Sequence, residues 1–215
     1  MLIVDAHPHI YAADRRRYPT IDDPWEPGEP ATAEDLRRRM AECGVARAVF
    51  IQTSTFYGVD NRYICDSALA NREWATGIVT LDPDDGASLA VLERAVTSSN
   101  VRGVRGIPDG ADRIDSAAVR RLWARAAELE IVVNCMVLDA IDLVGEILAV
   151  AASLPTLRIV IDHCLMLSTA GHDRTVEATL QALEELAQAP NVYAKLTCGT
   201  HGSSRVYLPT QHPLI

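Results

Sequence analysis

The segment Asp5-Ala6-His7-Pro8-His9 closes the apolar run Leu2-Ile3-Val4. In an extended strand alternate residues share a face, so Ile3, Asp5, His7 and His9 are expected on one side. Two same-side imidazoles at the end of a hydrophobic run can offer two nitrogens to one ion or one substrate. Imidazole is the commonest biological metal ligand, and borderline metals such as zinc favour it. His163 ends a second apolar run, Ile159-Val160-Ile161-Asp162, and would supply a third nitrogen. Three imidazoles are the minimal open site for a catalytic metal. The bland alternative is a pair of turn histidines with Pro8 ending the strand.

Arg105 ends Val101-Arg102-Gly103-Val104-Arg105-Gly106. Its guanidinium could clamp a carboxylate or lactone oxygen through two parallel N–H bonds, or it could form a salt bridge at a barrel rim. Arg102 and Arg105 differ in parity, so at most one points inward. Gln52 and Thr53, after another apolar run, are candidate polar substrate contacts. Lys195 stands in the apolar stretch Ala194-Lys195-Leu196-Thr197. A buried lysine is costly unless paired or deprotonated, and Asp5 or Asp162 could pair with it. His172, His201 and His212 lie in loop-like stretches and receive no role.

These residues need a scaffold that gathers strand ends. Strand-like runs begin near 2, 47, 75, 101, 131, 158 and 192, and helical periodicity fills the intervals. Leu36, Met40 and Cys43 follow a Thr32 cap, and Val119, Leu122, Trp123 and Ala126 form one stripe. Several strands lack polar alternation, as parallel strands covered on both faces should. The pattern is α/β, with no linker dividing residues 1–215 into two domains. Polar residues gather at the C-terminal strand ends, as on the active face of a (β/α)₈ barrel, while a doubly wound sheet stays open as an alternative. Residues 11–31 form a long non-periodic connection expected to cover the site.

Composition excludes several classes. The chain has 215 residues and a net charge of −9, with acidic and basic residues interleaved, which argues against a nucleic-acid partner. No apolar stretch approaches the ~20 residues of a membrane span, and no signal-type leader is read, so a cytoplasmic protein is expected. Five cysteines without a C-x-x-C pair, each in or beside an apolar run, are read as buried free thiols. No G-x-S-x-G elbow, P-loop or dinucleotide fingerprint occurs.

The motifs Asp5-Ala6-His7-Pro8-His9, Val49-Phe50-Ile51-Gln52, Gly103-Val104-Arg105, Ile161-Asp162-His163 and Pro190-Asn191-Val192-Tyr193-Ala194-Lys195-Leu196 occur in the order found in one known group. The chain resembles the amidohydrolase superfamily, in the branch with sugar lactonases and 2-pyrone-4,6-dicarboxylate lactonase. The resemblance implies a (β/α)₈ TIM-type barrel that hydrolyses a lactone of a sugar acid or of a ring-derived dicarboxylate. It implies His7, His9 and His163 as catalytic residues and metal ligands, and Arg105, Gln52 and Lys195 as substrate contacts. One divalent metal, zinc or manganese, and metal-free operation are both compatible with it. A binuclear centre is not expected, because the fourth and fifth strand ends carry Arg105 and Asn134 or Met136.

The family's eighth strand bears an aspartate in a Gly-Ser-Asp-Trp-like motif, and only seven strands are visible here. The expectation is therefore a C-terminally incomplete barrel that could self-associate through exposed sheet edges. The alternatives are a decarboxylase of the same superfamily, or an inactive truncated paralogue serving as a binding or assembly partner. The partner of an active enzyme would be a small molecule, not a membrane.

Overall fold

The computed structural model describes residues 2–28, 31–137, 141–169 and 176–195. Seven strands form one parallel sheet: β1 (Val4–Asp5), β2 (Arg47–Ile51), β3 (Ala75–Val79), β4 (Val101–Gly106), β5 (Val132–Cys135), β6 (Ile159–Ile161) and β7 (Val192–Ala194). Their spatial order is β1-β2-β3-β4-β5-β6-β7, and every pairing is parallel. Strictly sequential order excludes a doubly wound sheet, where the winding reverses partway. It is the winding of a (β/α)₈ barrel, seen here with seven strands.

The helices are α1 (Ala33–Glu42), α2 (Ser54–Tyr57), α3 (Arg62–Ala70), α4 (Ser88–Ser98), α5 (Ala117–Glu128), α6 (Val144–Ser153) and α7 (Val176–Leu186). Each end has a local cause. Thr32 and Asp35 form a reciprocal capping box, so the expected cap is present, and Ser116 accepts from the Val119 amide at the start of α5. Gly44, with φ +69°, takes the left-handed turn that ends α1. The α5 stripe Val119, Leu122, Trp123 and Ala126 is buried against β4 and β5. Gly106 makes this approach possible, since a Cβ there would sit 2.7 Å from the Trp123 ring and from Val133.

Several expectations need correction. The first strand is Val4–Asp5 rather than residues 2–7, so His7 and His9 follow a bend and do not alternate along a strand. Pro8 cannot donate to a ladder, and its carbonyl instead accepts from the Ile51 amide at 3.0 Å. The short α2 was not anticipated. Of the seventh strand only Val192–Ala194 is ordered as strand, and residues 196–215, with Cys198, His201 and His212, lie outside the described residues, as does His172. Cys135 is buried and Cys65 and Cys164 half-buried, but Cys43 is exposed, because it caps α1 beyond its apolar face. All four are free thiols.

Among the described residues β1 pairs only with β2 and β7 only with β6, so the sheet is open between them. Leu2 (69 %) and Val4 (45 %) are exposed on one side of this seam, and Tyr193 (51 %) on the other. No described helix is long and apolar enough to cross a membrane.

Candidate active site

The strand ends converge on Asp162, which follows β6 and is buried. Lys195, just after β7, places Nζ 3.1 Å from Asp162 Oδ1. Arg105 of β4 brings a guanidinium nitrogen within 3.6 Å of Oδ2, and Asn134 of β5 donates to Oδ1 at 3.1 Å. His7 Nδ1 lies 3.6 Å from Oδ1 and 3.3 Å from Lys195 Nζ. Parity explains the convergence. Arg105 is paired with Asn134 in register and both face the interior, whereas Arg102 is exposed on the other side. Lys195 is the only lysine in the chain. Two cations therefore surround one carboxylate, and Asp5, which accepts from the His7 amide, is a further acid acting on Lys195.

His7 stands between the other two predicted histidines, with ring centroids 5.0 Å from His9 and 4.5 Å from His163. His163 begins three successive residues of positive φ, His163, Cys164 and Leu165, which turn the chain sharply after β6. His9 Nδ1 lies 2.9 Å from the Ile51 carbonyl and 3.1 Å from Thr53 Oγ1. A carbonyl only accepts, so Nδ1 carries the proton of His9 and Nε2 keeps the lone pair. At His7, Nδ1 faces both a donor, the Lys195 ammonium at 3.3 Å, and an acceptor, the Asp162 carboxylate at 3.6 Å, while Nε2 is buried without a partner.

Burial, together with His7 and Arg105, lowers the pKa of His9 to about 4. Burial and His7 likewise lower His163 to about 4, so both rings are neutral at pH 7. At Asp162 burial pushes the pKa up, but His7, Arg105 and Lys195 outweigh it and bring it down to about 2. Burial lowers Lys195 despite Asp162 beside it, and lowers Arg105 in the same way.

The predicted residues divide into two sets. His7, His9, His163, Arg105 and Lys195 are gathered at one end of the sheet. Gln52 is fully buried and spends its amide nitrogen on the carbonyls of Gly58 and Asp60, which ties down the turn after α2. Asp162, foreseen only as a partner for Lys195, is the hub. Its signal was positional, a carboxylate beside His163 with inward parity. Among the described residues no group of three or more His, Cys, Asp or Glu side chains is arranged to hold a metal ion. His7, His9 and His163, with His7 Nε2 buried and unpartnered, are the side chains that would hold one.

The connection expected to cover the site is fastened to its flank. The amides of Ile21 and Trp25 donate to the carbonyls of Phe56 and Thr55 in α2, Ala12 donates to the Tyr57 hydroxyl at 2.7 Å, and Tyr18 donates to Asp66 in α3. Trp25 is 60 % exposed with its ring 6.1 Å from Tyr11.

Comparison with known proteins places this geometry. An L-fucono-1,5-lactonase from Burkholderia ambifaria is 31 % identical over 211 residues, which is 90 % of this chain and 67 % of the relative. An amidohydrolase from Burkholderia multivorans solved with bound zinc superposes with a TM-score of 0.68 at 21 % identity, covering 91 % of this chain and 69 % of that one. An uncharacterised TIM-barrel protein from Bordetella bronchiseptica gives 0.65 at 16 % identity, covering 90 % and 74 %. The amidohydrolase family pattern matches residues 4–212. The chain belongs to the amidohydrolase family and is a hydrolase with a TIM-barrel fold.

Proposed function

We propose that this hydrolase opens the ring of a lactone, of a sugar acid or of a ring-derived dicarboxylate. The observation that carries the reading is the gathering of His7, His9, Arg105 and Lys195 from separate strand ends around buried Asp162. The lactonase relative supports the same reaction class.

Water attacks the lactone carbonyl carbon, and negative charge develops on the carbonyl oxygen. The Arg105 guanidinium stabilises that charge from a buried site where such donors act strongly, and His7, in the Nε2–H form that the Lys195 ammonium favours, is a second donor. The lone pair of His9 Nε2 receives the proton of the attacking water. As the tetrahedral intermediate collapses, the ring C–O bond breaks and the leaving alkoxide takes that proton back. The products are a hydroxyl and a carboxylic acid, which ionises to the carboxylate by releasing its proton to solvent. Asp162 holds Lys195, Arg105 and His7 in place and, with a pKa of about 2, takes no part as a base at pH 7. Residues 11–28 form the covering wall, and exposed Trp25 is its substrate-facing ring.

A single divalent ion or direct action of the side chains both serve this chemistry, and the charge arrangement supports the second. A metal bound there would act as a Lewis acid on the carbonyl. The test is hydrolysis of L-fucono-1,5-lactone and a carboxylated lactone panel, with and without chelator. Activity that survives chelation and is lost in Arg105→Ala supports the reading. No hydrolysis of any lactone overturns it.

A further inference from the structure

Burial leaves one polar atom without a hydrogen-bond partner at the ends of three consecutive strands. These atoms are Gln52 Oε1 after β2, Thr80 Oγ1 after β3 and Arg105 Nε in β4. Gln52 Oε1 can only accept, whereas Thr80 Oγ1 and Arg105 Nε can both donate. Thr80 is 2 % exposed and Arg105 4 %. An unpaired buried hydroxyl or N–H lowers stability, and the fold keeps two of them side by side.

Their alignment follows from the ladder. Val79 and Val104 form the last rung between β3 and β4, and Thr80 and Arg105 are the next residues on each strand. Laterally matched residues of parallel strands leave the sheet on the same face. For Arg105 that face holds Asp162 and the Gln52 carbonyl. The main chain of Thr80 is fully engaged, its N–H donating to Asn61 Oδ1 at 2.8 Å and its carbonyl accepting from Asn61 Nδ2 at 2.7 Å. The hydroxyl alone is unspent.

We propose that Thr80 Oγ1 and Arg105 Nε bind one oxygen of the substrate, which makes Thr80 a specificity-determining contact of the lactonase site. Nε–H only donates, so the ligand atom is an acceptor. It is a ring-substituent hydroxyl oxygen or a carboxylate oxygen, and the hydroxyl of Thr80 donates to the same atom. This deepens the lactonase reading and rests on it for the identity of the ligand.

The decisive variant is Thr80→Val, which keeps the shape and removes the hydroxyl. If the hydroxyl is unpaired in the resting protein and spent on substrate, the variant melts higher, by about 2–4 °C. It also loses about tenfold or more in kcat/KM. Thr80→Ser restores turnover. A larger loss on L-fucono-1,5-lactone assigns the subsite to hydroxyls, and a larger loss on carboxylated lactones assigns it to carboxylates. A Thr80→Val protein that melts lower shows a partner already present, such as buried water, and overturns the proposal. So does a stabilised variant with unchanged kinetics. If the wild-type chain hydrolyses no lactone, the reaction class fails separately. The subsite is then read from the thermal shift given by L-fuconate, which the wild type must show and Thr80→Val must lose.

Discussion

Lys195 Nζ lies 3.3 Å from His7 Nδ1, although 188 residues separate them and their strands sit at opposite ends of the sheet order. An ammonium has no lone pair, so this contact favours the proton on His7 Nε2 over the Nδ1–H form that would donate to Asp162. In Lys195→Met the Nδ1 position should turn over to N–H and donate to Asp162, 3.6 Å away. Histidine ¹⁵N spectra should then show the Nε2–H form of His7 replaced by Nδ1–H, and kcat should fall by ~10²-fold or more. An unchanged tautomer would refute the assignment.

Asp162 is the one carboxylate between two buried cations, so Asp162→Asn should leave both uncompensated. Breaking a buried pair in this way costs about 3–5 kcal/mol. Urea denaturation should show a lower midpoint with an unchanged m-value. The deficit should shrink as pH rises, because Lys195 can then lose its charge. A midpoint equal to wild type would mean that solvent already pairs the cations.

Tyr57 accepts from the Ala12 amide and is buried among aromatic neighbours. Burial, with Tyr63 and Tyr11 nearby, raises its pKa to about 12, against 10.0 ordinarily. A raised folded pKa contributes stability that is complete below pH 10 and is lost as pH climbs through 12. Tyr57→Phe should cost ~1 kcal/mol at pH 7, since the Ala12 amide loses its acceptor. It should also flatten the stability curve between pH 10 and 12. Parallel curves for the two proteins in that window would contradict this.

Among the described residues, the seam between β1 and β7 exposes Leu2, Ile3 and Val4 on one edge and Tyr193 on the other. Unpaired apolar edges recruit further strands. Size-exclusion chromatography with light scattering should show mass rising with concentration, and Val4→Lys should suppress the rise. A monomer at every concentration, in both proteins, would count against edge pairing.

Much of this was legible in the sequence. Period and spacing gave the strand starts, and parity separated buried Arg105 from exposed Arg102. What escaped belongs to three-dimensional accounting. Gln52 reads as a substrate contact until its amide nitrogen is found on the Gly58 and Asp60 carbonyls. The hub role of Asp162 depends on partners from four other segments of the chain, and no local pattern encodes that. Thr80 carries no motif at all. It stands out only because burial leaves its hydroxyl without a partner, a property of packing rather than of spacing.

Sequential strand order also has a consequence for how this protein is made. Each βα unit docks on the one synthesised just before it, so most of the sheet can assemble in step with elongation, from contacts close in sequence. The reaction centre cannot. His7 is made 188 residues ahead of Lys195 and waits for it while the intervening strands assemble. A nascent or clipped chain that stops after β6 would hold a well-packed sheet and yet lack the group that sets the His7 proton. Such a chain would pass a test for folding and fail one for turnover. Chemistry is therefore a checkpoint on the arrival of β7.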